Sequence, residues 1–143
     1  MNEPCRTPSD IHPSLTYDDA PAAIEWLCRA FGFTRRLVVS GPNDRVEHSE
    51  LSLGTGVVMV SSPKPDDRRV SPRSLAGSAQ ALSVFVPDPD AHHRVAVAAG
   101  ARIVRPLRTE EYGARGYMAL DPEGHVWYFG NYRPGDYWTA PGE

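Results

Sequence analysis

Cysteine is scarce in this chain. Cys5 and Cys28 are the only two, too few for a disulfide framework and without the paired spacing of a zinc site. Cys28 reads as a small buried hydrophobe on a helix, Cys5 as part of a polar tail, and a reducing, cytoplasmic setting suits both. Long apolar runs are missing too. Nothing approaches the roughly 18 residues a membrane span needs, and Met1–Arg6 lacks the basic start and apolar stretch of a secretory signal, so export is not expected. Nor is there an excess of one charge: 15 basic against 18 acidic residues leave a formal net charge of −3. That excludes the clustered basic face of a nucleic-acid binder. No Ser–His–Asp nucleophile motif, phosphate loop or dinucleotide fingerprint is present. With 143 residues, 41% of them hydrophobic, the chain has room for one domain with a core, or two small halves that share one.

Two helices are well marked. Asp18 or Asp19 caps the first, Pro21 fits its first turn, and Ile24, Leu27, Cys28 and Phe31 fall on one face before Gly32 ends it. The second repeats the grammar. Asp88-Pro89 opens it, Gly100 closes it, and Ala91, Val95, Ala98 and Ala99 form the expected inner face. His92 and His93, adjacent on that helix, point in different directions and are expected to be exposed. Each helix follows a short strand-like run, His12–Tyr17 or Ala81–Val86, and three β-like runs come after it. These are about 33–40, 45–53 and 56–62 in the first half, and 101–107, 115–120 and 124–132 in the second, with turns at 41–44, 54–56 and 121–124.

The halves align at a fixed offset. Gly32 to Gly100 is 68 positions, and so is Gly56 to Gly124, which sets Val58 on Val126 and Met59 on Trp127. Equal order and equal offset indicate an internal repeat. The expected fold is α+β, two tandem βαβββ modules whose curved mixed sheets surround a shared cleft. Module 1 covers about 10–62, a Pro-rich charged linker 63–80, module 2 about 81–133 and a tail 134–143, all within one domain. A sheet with a helix on one face leaves the other open, so two such sheets side by side make a pocket.

The stretch Leu15–Leu27 with Ala30-Phe31-Gly32-Phe33 resembles the opening module of the vicinal oxygen chelate superfamily, which includes glyoxalase I, bleomycin-resistance proteins and extradiol dioxygenases. Asp121-Pro122-Glu123-Gly124-His125-Val126-Trp127-Tyr128-Phe129-Gly130 resembles the last hairpin and strand of that family. With His48–Leu51 and Val57–Met59, the similarity covers about residues 10–133. The resemblance implies the fold already expected, a small-molecule ligand, and frequently a homodimer. In metal-dependent members four ligands come from the first and last strands of each module, and those slots fall near His12, Val60, Ala81 and Tyr128. Only His12 is a suitable ligand, whereas tight catalytic sites use about three. The expectation is therefore no metal and no cofactor.

Strand alternation sorts the side chains. Leu51, Leu53, Met59, Trp127 and Phe129 are expected to pack toward helices. His12, Ser14, Thr16, His48, Glu50, Ser52, Val58, Val60, Ala81, Ser83, Phe85, Val126 and Tyr128 are expected to face the cleft, joined by Met118 and Leu120. His48 and Glu50, two apart on one strand, form either an acid/base pair or a solvated edge. His12 is either a pocket group or a histidine tied to a neighbouring carbonyl. Tyr128 and Phe85 are candidate stacking groups. Tyr112-Gly113-Ala114-Arg115 resembles a recurrent stretch of the family, in which Arg115 either clamps an anion or makes a structural ion pair. The aromatic tail Tyr137-Trp138 can cover the cleft or a neighbouring subunit. Two functions follow. The preferred one is metal-independent binding, resembling drug sequestration by bleomycin-resistance proteins. The other is a lyase, isomerase or dioxygenase that uses an unrecognised metal site or His48 and Glu50.

Overall fold

The computed structural model describes residues 10–136, so Cys5 and the tail aromatics Tyr137 and Trp138 lie outside the described residues. The first module runs β1 (Ser14–Thr16), α1 (Ala20–Phe31), β2 (Thr34–Ser40), β3 (Val46–Leu53) and β4 (Gly56–Ser61). The second runs β5 (Ala81–Phe85), α2 (Pro89–Ala98), β6 (Arg102–Thr109), β7 (Arg115–Leu120) and β8 (Val126–Gly130). Each module makes one four-stranded sheet, ordered β1-β4-β3-β2 and β5-β8-β7-β6. In both, the strand before the helix pairs parallel with the last strand, and the other neighbours are antiparallel. This is the expected pair of βαβββ modules.

The helix ends form as the local sequence dictates. Asp19 and Asp88 each accept a hydrogen bond from the backbone N–H three residues on, Ala22 and Ala91, at 3.1 Å. Gly32 and Gly100 sit at φ 86° and 93°, the left-handed region that stops a helix without a side-chain clash. Phe31, at the end of α1, locks the modules together. Its ring lies 4.5 Å from Phe129 and 5.3 Å from Trp127, both on β8 of the other module. Phe33 meets Trp127 at 5.6 Å, and Trp26 Nε1 donates to Ala99 O at 2.8 Å. One apolar core thus runs through both modules.

Two expectations about side-chain direction fail, for a common reason. Val58 and Val60 are buried in the core beside Leu51 and Leu15, and Met59 takes the open face opposite Glu50. On α2, Val95 is 54% exposed, while Pro89 and Ala96 are buried and His92 is half-buried. The repeat does not keep one offset. Seven positions separate Leu51 from its partner Val58, but eight separate Ala119 from Trp127. The second hairpin turn is one residue longer, so the last strands align at 69 (Met59 on Tyr128, Val60 on Phe129). A one-residue slip turns every strand side chain to the other face. The helix starts also align at 69, Asp19 on Asp88 and Leu27 on Ala96. The return to 68 occurs because α2 reaches its terminal glycine one residue sooner.

His92 is a further correction. It is not an exposed surface residue: its Nε2 donates to Phe31 O at 2.8 Å, and its Nδ1 lies 2.7 Å from the Tyr117 hydroxyl. A carbonyl only accepts, so the proton sits on Nε2 and Nδ1 accepts from Tyr117. Burial lowers the pKa of His92 and raises that of Tyr117. The histidine ties α2 to the end of α1.

The turn between β7 and β8 ties the modules again. Asp121 is buried and accepts from Tyr17 Oη at 2.6 Å, from Trp127 Nε1 at 3.0 Å and from the backbone N–H groups of Glu123, Gly124 and His125. Glu123, also buried, accepts from the N–H groups of Asp18 and Asp19 and from Ser71 Oγ. Burial and the neighbouring Asp121 and Glu123 charges raise the Tyr17 pKa well above its ordinary value. The linker is thereby pinned at Ser71 rather than hanging free.

Candidate ligand cleft

The inner edges β1 and β5 border a cleft of about 930 Å³, lined by His12, Ser14 and Val57 on one side and by Ser83, Phe85 and Arg133 on the other. Away from that cleft each sheet presents an open face, and the two faces differ in chemistry.

On the first sheet, Glu50 stands between Leu37 and Met59, and His48 stands beside Val39. His48 Nε2 lies 2.8 Å from a Glu50 carboxylate oxygen, both side chains about half-exposed. The carboxylate accepts, so the N–H is on Nε2 and the Nδ1 lone pair is free to take a proton in the neutral ring. His12 Nδ1 faces Val57 O at 3.4 Å, a long bond to the adjacent strand.

On the second sheet, Tyr128 lies beside Met118 and Ser83. A Cβ placed on either Gly116 or Gly130 would run into its ring, so these two glycines form the trough in which it rests. Arg105 lies over the ring, 5.5 Å from its centroid, and Arg133 lies 4.0 Å from the centroid of Phe85. Burial raises the Tyr128 pKa, with the neighbouring Tyr112 and Glu110 adding to the shift against Arg105 and Arg108. Phe85 is 38% exposed and Tyr112, on the loop before β7, 70% exposed.

The structure gathers Met118, Tyr128 and Phe85 on the open face of the second sheet and His48 and Glu50 on that of the first. Arg115 is not brought to either. It turns to the helix side, where Nε and Nη2 donate to Asp90 at 2.9 Å each, an ion pair that lowers the Asp90 pKa. Arg105 and Arg133 were missed by sequence reasoning. Register shifts interrupt β6 on both sides of Arg105, so simple alternation could not assign its face.

The donor set does not fit a divalent metal. Among the slots marked out above, Val60 is buried in the core, Ala81 has no donor and Tyr128 offers only a phenol whose pKa burial raises. The open-face residues of β4 on either side of Val60 are Met59 and Ser61, neither a carboxylate. Among the described residues no group of three His, Cys, Asp or Glu side chains converges. No helix among them is long and apolar enough to cross a membrane.

Comparison with known proteins agrees with this architecture. The chain belongs to the Glyoxalase/Bleomycin resistance protein/Dioxygenase superfamily, whose family model matches residues 11–129. It is 32% identical over 123 residues to the uncharacterized protein Rv0887c of Mycobacterium tuberculosis, covering 84% of this chain and 72% of that one. The crystal structure of TioX from Micromonospora sp. ML1 superposes with a TM-score of 0.70 at 34% identity, covering 85% of this chain and 94% of TioX. The fosfomycin resistance protein FosX from Mesorhizobium loti shares the fold, with a TM-score of 0.64 at 15% identity over 88% of this chain and 93% of FosX.

Proposed function

We propose that this protein binds a planar or bulky small molecule without a metal ion and releases it chemically unchanged. The observation that carries this reading is the Tyr128 ring, laid in its glycine trough beside Met118 and Phe85, at a place where the donor set for a metal is missing. A ring held flat by its surroundings offers stacking area at small entropic cost, and buried aromatics dominate sites of this kind. Membership of a superfamily named in part for bleomycin resistance supports sequestration as the biological use. A homodimer is part of the proposal, because each open sheet face is only one wall of a cleft and a second copy can supply the other.

The test is incubation with a panel of planar aromatic compounds, followed by calorimetry for binding and mass spectrometry for the fate of the compound. Binding with full recovery of unchanged compound is expected, and Tyr128→Ala should weaken it by roughly 1–3 kcal/mol. A second reading, proton-transfer catalysis, is favoured by the His48–Glu50 pair at 2.8 Å with its free Nδ1. A chemically altered product that disappears in His48→Ala or Glu50→Gln would establish it and overturn the binding-only reading.

A further inference from the structure

Positive charge on the second sheet is poorly compensated. None of its four strands contains an Asp or Glu, while β6 and β7 carry Arg102, Arg105, Arg108 and Arg115. Two of these are committed: Arg115 to Asp90 on the helix side, and Arg108 to Glu110 at 2.7 Å. Arg105 is different. It has no ion pair among the described residues, its guanidinium lies over the Tyr128 ring, and its Nε–H is buried without an acceptor. A buried donor left unmade is unfavourable, so any acceptor that reaches it gains more than it would on open surface. Arg133 sits over Phe85, and its carboxylate neighbour Asp136 is 3.7 Å away, between half-exposed side chains. This places two arginine–aromatic pairs on one module, each with capacity for a further acceptor.

We infer that the ligand is a planar aromatic acid, whose ring packs beside Tyr128 and Met118 and whose carboxylate or sulfonate is received by Arg105. The inference rests on the small-molecule binding proposed above and adds the charge of the ligand. Arg suits the task because its planar fork donates two parallel hydrogen bonds to a carboxylate while its face stays on the ring. Stacking also fixes the guanidinium in advance, so little side-chain freedom is lost when the anion arrives. The first sheet is a poor place for the acid, since Glu50 stands on its open face and Glu47 on the same strand.

The probes are 2-naphthoate and its neutral isostere 2-naphthamide, titrated separately by calorimetry into the full chain at low and high salt. The acid is expected to bind about tenfold more tightly than the amide or better, as a charge-assisted bidentate contact would give. Added salt should narrow the gap. Arg105→Gln should bring the acid down to the level of the amide. Arg105→Lys, which keeps the charge and loses the fork, should fall between. Equal wild-type binding of the two probes, or an acid preference that survives Arg105→Gln, overturns the inference about charge. If both probes then still weaken in Tyr128→Ala, the binding site at Tyr128 itself stands. Failure of both probes to bind the wild-type chain would overturn both proposals together. The wild-type ratio is read without any variant, so it decides the matter even if a substitution unfolds the protein.

Discussion

Replacing Asp121 by Asn changes one atom and should destabilise the fold substantially. The carboxylate accepts five hydrogen bonds: Tyr17 Oη and Trp127 Nε1 reach one oxygen, and the N–H groups of Glu123, Gly124 and His125 reach the other. Asparagine has one acceptor oxygen and an NH₂ group. If its NH₂ faces the rings, Tyr17 can rotate its hydroxyl and accept, but the indole N–H of Trp127 can only donate. Trp127 is fully buried, so one buried donor goes unpaired, at about 1–3 kcal/mol. The remaining bonds lose their charge assistance, adding roughly 1 kcal/mol. Turning the oxygen the other way strands the backbone N–H groups of Glu123 and His125 instead, while that of Gly124 keeps the backbone carbonyl of Asp121. Relief from desolvating a charge works in the opposite direction, but five donors already compensate that charge. The expected cost is about 2–4 kcal/mol out of a typical total of roughly 5–15. Urea unfolding followed by circular dichroism should show a lower midpoint with an unchanged slope. In a Tyr17→Phe background the Asn substitution should cost less, since the shared hydrogen bond is already gone. A cost below about 0.5 kcal/mol, or strict additivity of the two changes, would show that Asp121 is not the buried tie between the modules.

His92 gives a pH dependence of known sign. Burial depresses its pKa, so its contribution is fully present above the unfolded value of about 6.5 and is lost as pH falls through the lower folded value. Unfolding midpoints at pH 7.5 and 5.0 should differ less in His92→Phe than in the wild type; an unchanged difference would assign the acid lability to other groups. Thermal melts with chelator, or with added Zn²⁺, Ni²⁺ or Fe²⁺, should agree closely. A metal-dependent gain near 2.7 kcal/mol, the size for a ligand at about 100 times its dissociation constant, would refute the reading of the donor set. Light scattering at tens of micromolar should report a dimer mass, and a stable monomer would count against the shared cleft.

The architecture was legible in the sequence because its signals are local. An Asp cap, a proline in the first turn and a glycine at positive φ act within a dozen residues, and they mark α1 and α2 with no knowledge of what packs on them. The repeated strand–helix–three-strand order and the turn glycines then define two βαβββ modules. Trp127, Phe129, Tyr128 and the His48–Glu50 pair could be given their faces by alternation alone. What alternation cannot supply is phase. The turn before β8 is one residue longer than its counterpart before β4, so a single offset between the halves assigns Val58, Met59 and Val60 the wrong faces; the strand pairing buries both valines and brings Met59 to the open face. The register shifts in β6 leave Arg105 above the ring of Tyr128 in the same way. The partners of His92, Asp121 and Glu123 on other elements, Tyr117, Tyr17 and Asp18 among them, were equally out of reach, since they lie 25 to 105 positions away along the chain. Each is a buried polar group whose place depends on where its donors and acceptors arrive in space. Local backbone preference built the modules; the packing of one against the other decided which polar groups became ties, and the pairing of β6 with β7 decided which arginine came to lie over Tyr128.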